Sequence, residues 1–579
     1  MNKIYKWVKG KNIFWFLIVG ASFILTRGLA LDRFVTTDET PWLMRSGNFY
    51  YALGQRDFIK TNQGLNPGVT TMWINTAAFL LEYPEYRGFG QGYFKDYLSF
   101  DRFLETKHIE PHRILITARK LMLLENIILI LIAFGIAIRL TGIVPALAGF
   151  LMIALDPFHI ALTMISHMDG QLSSLMLLSI FAFLGYFFDK QRFIYILLSA
   201  GAASFGSLTK LPGYILFPFF TTFIVFEIFK KWRKVSFDNK KQWNVWLKRS
   251  IRDIVLWLAV FILVYIIFWP AMWVNPIGMI AKQIIAPFKF VDTSEEVVRV
   301  IVTNTIVNYQ PIIEKIIERA TYYPKWYLWQ STPIELIGVF LALVLLPLKV
   351  AFFKSPTNRI IAILLAWFAF LYIVFVSFIS KSNPRYMIPA FVVLDLIAAY
   401  GWMALLGLIL QFRLRWVRYS TFTFIFLSIM VIQIGGVALI YPYFYSYYNP
   451  LMGGGKKAGE TLFVGSGEGL DEAGRYLSQK PDASKLTAMS WYGSGSFSYY
   501  FSGTTIIIPT GISDNEYIAK NIVSADYLVV YTSQWYRRIP PQLFNILDQI
   551  VPEHSIWING IEYARIYAVD ELPQEVFQY

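Results

Sequence analysis

The chain has no cysteine, and only 16% of its 579 residues are charged. Without thiols it can form neither disulfides nor thiolate metal sites, so any part lying outside a membrane must be held by packing alone. With 56% hydrophobic residues and a mean hydropathy of +0.48, it is too apolar for a string of soluble domains of roughly 100 to 200 residues each. Also missing are an internal repeat, the glycine spacing of a Walker or dinucleotide loop, and a small-residue cleavage site after the first apolar run. That first run, basic in front and apolar behind, is therefore expected to be a retained helix and not a signal peptide.

What the chain has in quantity is long apolar stretches. A hydrocarbon core about 30 Å thick takes roughly 20 apolar residues per helix, and about eleven such segments fit before residue 441. They run near 13–31, 113–138, 142–157, 170–188, 193–209, 211–229, 253–272, 333–350, 359–379, 386–411 and 419–441. The expected fold is an all-α polytopic membrane domain over residues 1–441, with amphipathic helices in its outer loops. A small extracytoplasmic α/β domain over 442–579 is expected to follow it. Lys and Arg in short loops favour the cytoplasmic side. Lys3, Lys6, Lys9 and Lys11 put the N-terminus inside, and alternation then gives every inner loop a basic residue. These are Arg139, then Lys190 and Arg192, the run from Lys230 to Arg252, the run from Lys349 to Arg359, and finally Arg413, Arg415 and Arg418. The net charge of +14 reads as this inner rim against a cell membrane, and no nucleic-acid partner is expected.

Two outer loops are long, 32–112 and 273–332. Tyr93, Phe94, Tyr97, Leu98, Phe100 and Leu104 form one apolar stripe, and Ile312, Ile313, Ile316, Ile317 and Ala320 form another. Such stripes suit helices lying in the interface or packed on the protein itself. Tyr322, Tyr323, Trp326, Tyr327 and Trp329, and the run from Tyr441 to Tyr448, read first as interfacial aromatic belts. In the C-terminal part, GLDEAGRYLSQ is helix-like, while TTIIIP, DYLVVYT and EYARIYAV are strand-like.

The chemistry is carried by ionisable residues that the topology places on the outer side. Asp38 and Glu39 follow the first span in TTDET, and His167 and Asp169 sit in SHMDG at the head of another. An acid at the start of a span costs up to about 2.5 to 3.5 kcal/mol if it lies deep, and such residues tend to be functional. Both acidic sites can also be read as helix caps. Together, three acids and an imidazole suit either a general base that takes a proton from a hydroxyl, or a divalent-cation site with oxygen ligands. Arg27, Arg119, Lys120, Lys210, Lys381 and Arg385 collect on the same side against the charge rule, which implies an anionic ligand such as a phosphate.

These pieces resemble the GT-C superfamily of integral-membrane glycosyltransferases, in the branch of protein O-mannosyltransferases and the lipid A aminoarabinose transferase. The matching runs are TTDET, HMDG, SLTKLPGYILFP, WPAMWVNP, YYPKWYLWQSTP and NPRYMIPA, spread in order over about residues 27 to 400. YPYFYSYYNPLMGGG and GSGEGLDEAGRYL resemble members with an outer C-terminal domain. The resemblance implies an inverting hexosyl transferase, mannosyl among the candidates, that uses a polyprenyl-phosphate-linked monosaccharide and a hydroxyl acceptor on protein, glycan or lipid. Asp38 would be the catalytic base, Glu39 its support, and Asp169 with His167 would hold acceptor, sugar or a divalent cation. Lys210 and Arg385, with Arg119 and Arg27, would meet the lipid phosphate. Where relatives carry a Pro-Pro step preceded by His or Lys, this chain has Asn66-Pro67-Gly68, which leaves Asn66 as the acceptor or sugar contact. A multi-spanning transporter or lipid flippase with proton-coupling acids is the competing class. It would place acids at mid-membrane depth on broken helices.

Overall fold

The structure is a computed structural model, described here for residues 12–64, 66–189, 193–233, 240–283, 285, 312–379, 382–411, 415–508 and 514–577. Lys3, Lys6, Lys9, Lys11, Lys190, Arg192, Lys381, Arg413 and the middle of the 230–252 run lie outside the described residues, as do the side chains of Ile312, Ile313 and Arg415.

Apolar runs become helices because a lipid-facing backbone must satisfy its own hydrogen bonds. The helices are α1 (Asn12–Gly28), α2 (Glu39–Gln55), α3 (Val69–Glu82), α4 (Tyr97–Thr106), α5 (Pro111–Thr141), α6 (Ile143–Leu155), α7 (Pro157–Thr163), α8 (Met168–Phe188), α9 (Phe193–Thr209) and α10 (Leu216–Trp232). After them come α11 (Lys240–Phe268), α12 (Ala271–Val274), α13 (Ile312–Gln330), α14 (Pro333–Leu348), α15 (Pro356–Ile379), α16 (Ile388–Ile409) and α17 (Arg415–Ala438). Punctuation follows local chemistry. Pro111 opens α5 where a missing N–H costs nothing, and Gly142, at φ 89°, ends it. Asp156 caps α7 through the N–H groups of Phe158 and His159.

Each expected apolar segment coincides with a helix. Among the described residues, seven helices are long and apolar enough to cross a membrane, or eight if α6 and α7, bent by 67°, count as one span. Three more apolar helices, α1, α9 and α14, are shorter. The chain is thus a multi-pass membrane protein. Helix α8 is buried on every side from Met168 to Gly185, its few polar residues included, so it lies in the interior of the bundle. By contrast α11 and α17 present Ile262, Leu263, Phe424 and Val431 outward, as lipid-facing helices do. Helices α14 and α16 cross in direct backbone contact, because a Cβ on Gly401 would lie 2.0 Å from the Gly338 carbonyl oxygen.

The stripe in the first loop becomes α4, whose Phe100 and Leu104 are buried against Leu43, Tyr86 and Ile114, so it packs on the protein. In the second stripe Ile316 and Ile317 are exposed. The aromatic-belt expectation is corrected for Tyr323, Trp326, Trp329, Tyr443, Tyr447 and Tyr448, which are all under 9% exposed and belong to the bundle core, while Tyr322 and Tyr327 are half-buried and Tyr441 is exposed.

The C-terminal part forms a five-stranded sheet of β1 (Thr487–Trp491), β2 (Thr504–Ile508), β3 (Tyr527–Tyr531), β4 (His554–Ile558) and β5 (Ile561–Ala568), in the order β2-β1-β3-β5-β4. The β1, β2 and β3 pairings are parallel, and β5 runs antiparallel to β3 and β4. Asn559-Gly560, both at positive φ, makes the two-residue hairpin turn that this dipeptide favours. One sheet face packs under helices Asn515–Val523 and Pro541–Leu547. The other is continuous with the bundle core through Val529, Tyr531 and Tyr563.

Polar contacts seat this unit on the segment between α1 and α2. Tyr500 Oη donates to the Asp32 carbonyl (3.1 Å), Thr37 N–H to the Ser466 carbonyl (3.3 Å), and Phe34 N–H to Asp471 (3.4 Å). On α4, Asp101 accepts from Ser494 (3.2 Å) and Tyr499 (3.3 Å) of the C-terminal unit. Burial pushes the Asp101 carboxyl up to about 7, against the hydrogen bonds that favour its charged form. A folded-state pKa above the unfolded one stabilises the fold at low pH, and that contribution is lost as pH rises through about 7. Thermal unfolding from pH 5 to 8 should therefore show a decline in Tm for the wild type that is flattened in Asp101→Asn.

Candidate active site

The acid-bearing segments are held by one buried ion pair. Glu39 and Arg119 are both wholly buried. The Glu39 carboxylate accepts from Arg119 Nε (2.8 Å) and Nη2 (2.6 Å), from the Thr36 N–H (2.9 Å) and from the Ser166 N–H (2.8 Å). Arg119 spends its other donors on the carbonyls of Leu31 (2.8 Å), Arg33 (2.9 Å) and Phe34 (2.9 Å). Every donor on that guanidinium is taken, which is the condition under which a buried pair is tolerated. It fixes the 31–36 loop, the start of α2 and the residue before His167 to α5.

On that footing four charged side chains from four segments converge at one end of the bundle. Asp38 occupies the N-cap position of α2, yet its side chain caps nothing. Instead it receives Arg385 Nη1. Arg385 Nε lies 3.4 Å from Asp169 Oδ2, and Lys210 Nζ is bonded to Asp169 Oδ1. His167 takes the N-cap of α8, its Nδ1 3.1 Å from Asp169 Oδ2. The Tyr386 ring lies beneath Lys210 Nζ at 3.8 Å, a cation–π contact. The result is an alternating series, Asp38, Arg385, Asp169, Lys210. Exposure falls along it from 37% at Asp38 and 20% at Arg385 to 5% or less at Lys210 and Asp169. Asp38 and Arg385 form the mouth, and the other two the floor.

Local sequence explains this placement. Gly170 in HMDG lets α8 start against the backbone of α7, where a Cβ would sit 2.3 Å from the Leu162 carbonyl oxygen. Lys210 stands in extended backbone between α9 and the 3₁₀ turn of LPGYI. The Asn66-Pro67-Gly68 turn abuts it through the Gly68 N–H to the Thr209 carbonyl (3.1 Å), with Asn66 half-buried. In Asp38, burial pushes the carboxyl up, but the adjacent Arg385 guanidinium and His167 outweigh it and hold it below the usual carboxylate value. Asp38 is therefore ionised at neutral pH. Asp169 Oδ2 and Arg385 Nε, both buried, face each other at 3.4 Å, with His167 Nδ1 3.1 Å from the same oxygen.

Three of the sequence candidates, Arg119, Arg27 and Glu39, are not brought into this group. Arg119 serves Glu39, as above. Arg27 is wholly buried and donates to Thr163 Oγ1 (2.7 Å), Thr26 Oγ1 (2.6 Å) and the carbonyls of Ala154 (3.0 Å) and Ile153 (3.3 Å), clamping the α6–α7 bend. Neither has a donor left for a phosphate. Glu39 reaches the mouth only through the segments it holds.

Other neighbours were not picked out from the sequence. Tyr445 lies within electrostatic reach of Arg385, Glu468, Asp169 and Asp38. Glu468 is wholly buried, accepts from the Ser466 N–H (2.6 Å) and Tyr531 Oη (3.0 Å), and has its other oxygen unpartnered among the described residues. Burial raises its carboxyl. Arg45, seven residues past Asp38 on the same helical face, stacks on Trp42 at 4.6 Å and carries its charge toward Asp38. That spacing was the one available signal.

Fold and site together define a multi-pass helical membrane protein with a charged mouth beneath a small α/β unit. No family model and no curated protein matches the chain. Solved structures to which it is similar include ArnT from Cupriavidus metallidurans bound to undecaprenyl phosphate, at 12% identity over 96% of this chain and 98% of that one, with a TM-score of 0.45. Another is the archaeal oligosaccharyltransferase AglB from Archaeoglobus fulgidus in complex with an inhibitory peptide and a dolichol-phosphate, at 10% identity over 91% and 70%, with a TM-score of 0.47. Both are GT-C superfamily members.

Removing one partner of a buried pair leaves the other charge stranded, at a cost of about 3–5 kcal/mol. Arg119→Met should therefore lower Tm by many degrees in detergent, and adding Glu39→Gln should restore part of the loss.

Proposed function

We propose that the chain is a glycosyltransferase of the outer membrane face, moving a monosaccharide from a polyprenyl-phosphate carrier to an acceptor hydroxyl by inverting single displacement. The observation that carries this reading is the partly exposed, ionised Asp38 beside Arg385, with Lys210 behind it. In this reading Asp38 accepts the acceptor proton as the acceptor oxygen bonds to the anomeric carbon and the carbon–phosphate oxygen bond breaks. The electron pair leaves on the lipid phosphate, where Arg385 and Lys210 meet it.

Arg385 has two tasks. In the resting protein it depresses the basicity of Asp38; once a phosphate engages it, Asp38 is released to act as base. Asp169 holds Lys210 and Arg385 in place, His167 backs Asp169, and Glu39 acts through Arg119 as a positioning residue. Asn66 and Glu468 border the acceptor side. The mouth admits a divalent cation between Asp38 and Asp169 only if Arg385 withdraws. The N-terminus is cytoplasmic, and residues 442–579 form an extracytoplasmic domain over the 1–441 membrane domain. Mannose and other hexoses are the sugars the sequence resemblance favours.

One observation favours the transporter alternative: the α6–α7 break carries Asp156, which lies inside the bundle beside Glu335 and Asp395. The two readings separate cleanly. Given a panel of polyprenyl-phosphate monosaccharides and acceptors, the wild type should release polyprenyl phosphate, and Asp38→Asn should lower the rate by about 10² to 10⁴ with Tm unchanged. Turnover at the wild-type rate in Asp38→Asn would rule out the base, and lipid movement without sugar transfer would favour the transporter.

A further inference from the structure

Asp156, Glu335 and Asp395 come from three separate segments and are each wholly buried. One carboxylate oxygen from each lies within 4.8 Å of the other two. None forms an ion pair among the described residues; the charge of Arg27 reaches Asp156 only from beyond ion-pair distance. Asp156 and Glu335 are held by bonds that leave lone pairs over. Asp156 accepts from the N–H groups of Phe158 (2.9 Å) and His159 (3.2 Å), and Glu335 from the Thr332 N–H (2.7 Å) and Gln433 Nε2 (2.9 Å).

Asp395 differs: neither of its oxygens has a hydrogen-bond partner among the described residues, although it points into the group. The Tyr327 hydroxyl, also buried without a partner, lies in electrostatic reach of all three acids. A carboxylate left wholly unsatisfied inside an apolar bundle is costly, and a cation bound by oxygens is one of the few ways to satisfy it.

We infer that this group is a calcium site. The donor set is all oxygen and includes no sulfur or imidazole, which suits a hard cation. Calcium takes oxygens at about 2.3–2.6 Å, so three ligand oxygens that all lie within 4.8 Å of one another can reach a single ion. Magnesium gives up its waters reluctantly, and a wholly buried site of this kind leaves little room for them.

The ion would tie three elements. Asp156 marks the bend that leads by way of α7 to His167 and Asp169. Glu335 begins α14, and Asp395 lies on α16 ten residues beyond Arg385, roughly 15 Å along the helix axis. The Gly338–Gly401 contact brings α14 and α16 close enough for Glu335 and Asp395 to share one ion. Its role is to hold the segments bearing Asp169 and Arg385 in register, and it stands whether or not the transferase reading does.

The test uses the full chain purified in detergent without chelator. Elemental analysis should find about one calcium per chain. EGTA should lower Tm, and CaCl2, not MgCl2, should restore it, with a shift of roughly 3 °C or more at saturating ion. Asp395→Asn should lose both the calcium and the response to EGTA. If that variant fails to fold, the wild-type titration decides alone. A wild-type chain that carries no stoichiometric calcium and melts at the same temperature with EGTA and with CaCl2 overturns the assignment, and points to protons shared among the three acids.

Discussion

The Glu39–Arg119 pair is the constraint on which the site depends. Two charges taken out of water are stable only when every lone pair and N–H is answered, and here they are answered largely by backbone groups of the segments that carry the chemistry. Thr36 precedes Asp38 by two residues, and Ser166 precedes His167 and Asp169. One guanidinium on α5 thus sets the separation of two acids that are far apart in the chain. The acid beside Asp38 has a structural task, and the adjacent pair in TTDET divides into a group that faces the mouth and a group that builds it.

From that frame the electrostatics follow. Arg385 and Lys210 approach a floor already fixed by Asp169, and the alternation of sign lets four charges persist in a place with little water. The mouth is polar where it opens and packed where it closes. The C-terminal unit completes it from above by bonds to Asp32, Phe34 and Thr37, the segment immediately before Asp38.

Much of this was legible in the sequence because an ionisable residue at the end of an apolar run stands out, and alternation of spans tells which end it is on. Asp38, His167, Asp169, Lys210 and Arg385 were identified in that way, and the structure brings them together. The same reasoning gives an end of the bundle but not a direction around the helix. Arg27 and Arg119 sit at the right level and face inward, where backbone carbonyls consume them. The aromatic runs 322–329 and 441–448 misled for the same reason, since composition cannot tell an interface from a core. Strands β2, β3 and β5 carry β-branched and aromatic runs and were visible, whereas TAMSW and HSIWI have weaker patterns. Glu468, Tyr445 and the Asp101 contact depend on how the C-terminal unit docks, which no local pattern encodes.

The central claim is that Arg385 and Lys210 hold a lipid phosphate over Asp38. An experimental structure of the chain with polyprenyl phosphate tests it most directly. The account predicts the phosphate within hydrogen-bonding distance of Arg385 and Lys210, with Arg385 drawn off Asp38. A phosphate bound elsewhere on the bundle, with the Asp38–Arg385 contact unchanged, would contradict it.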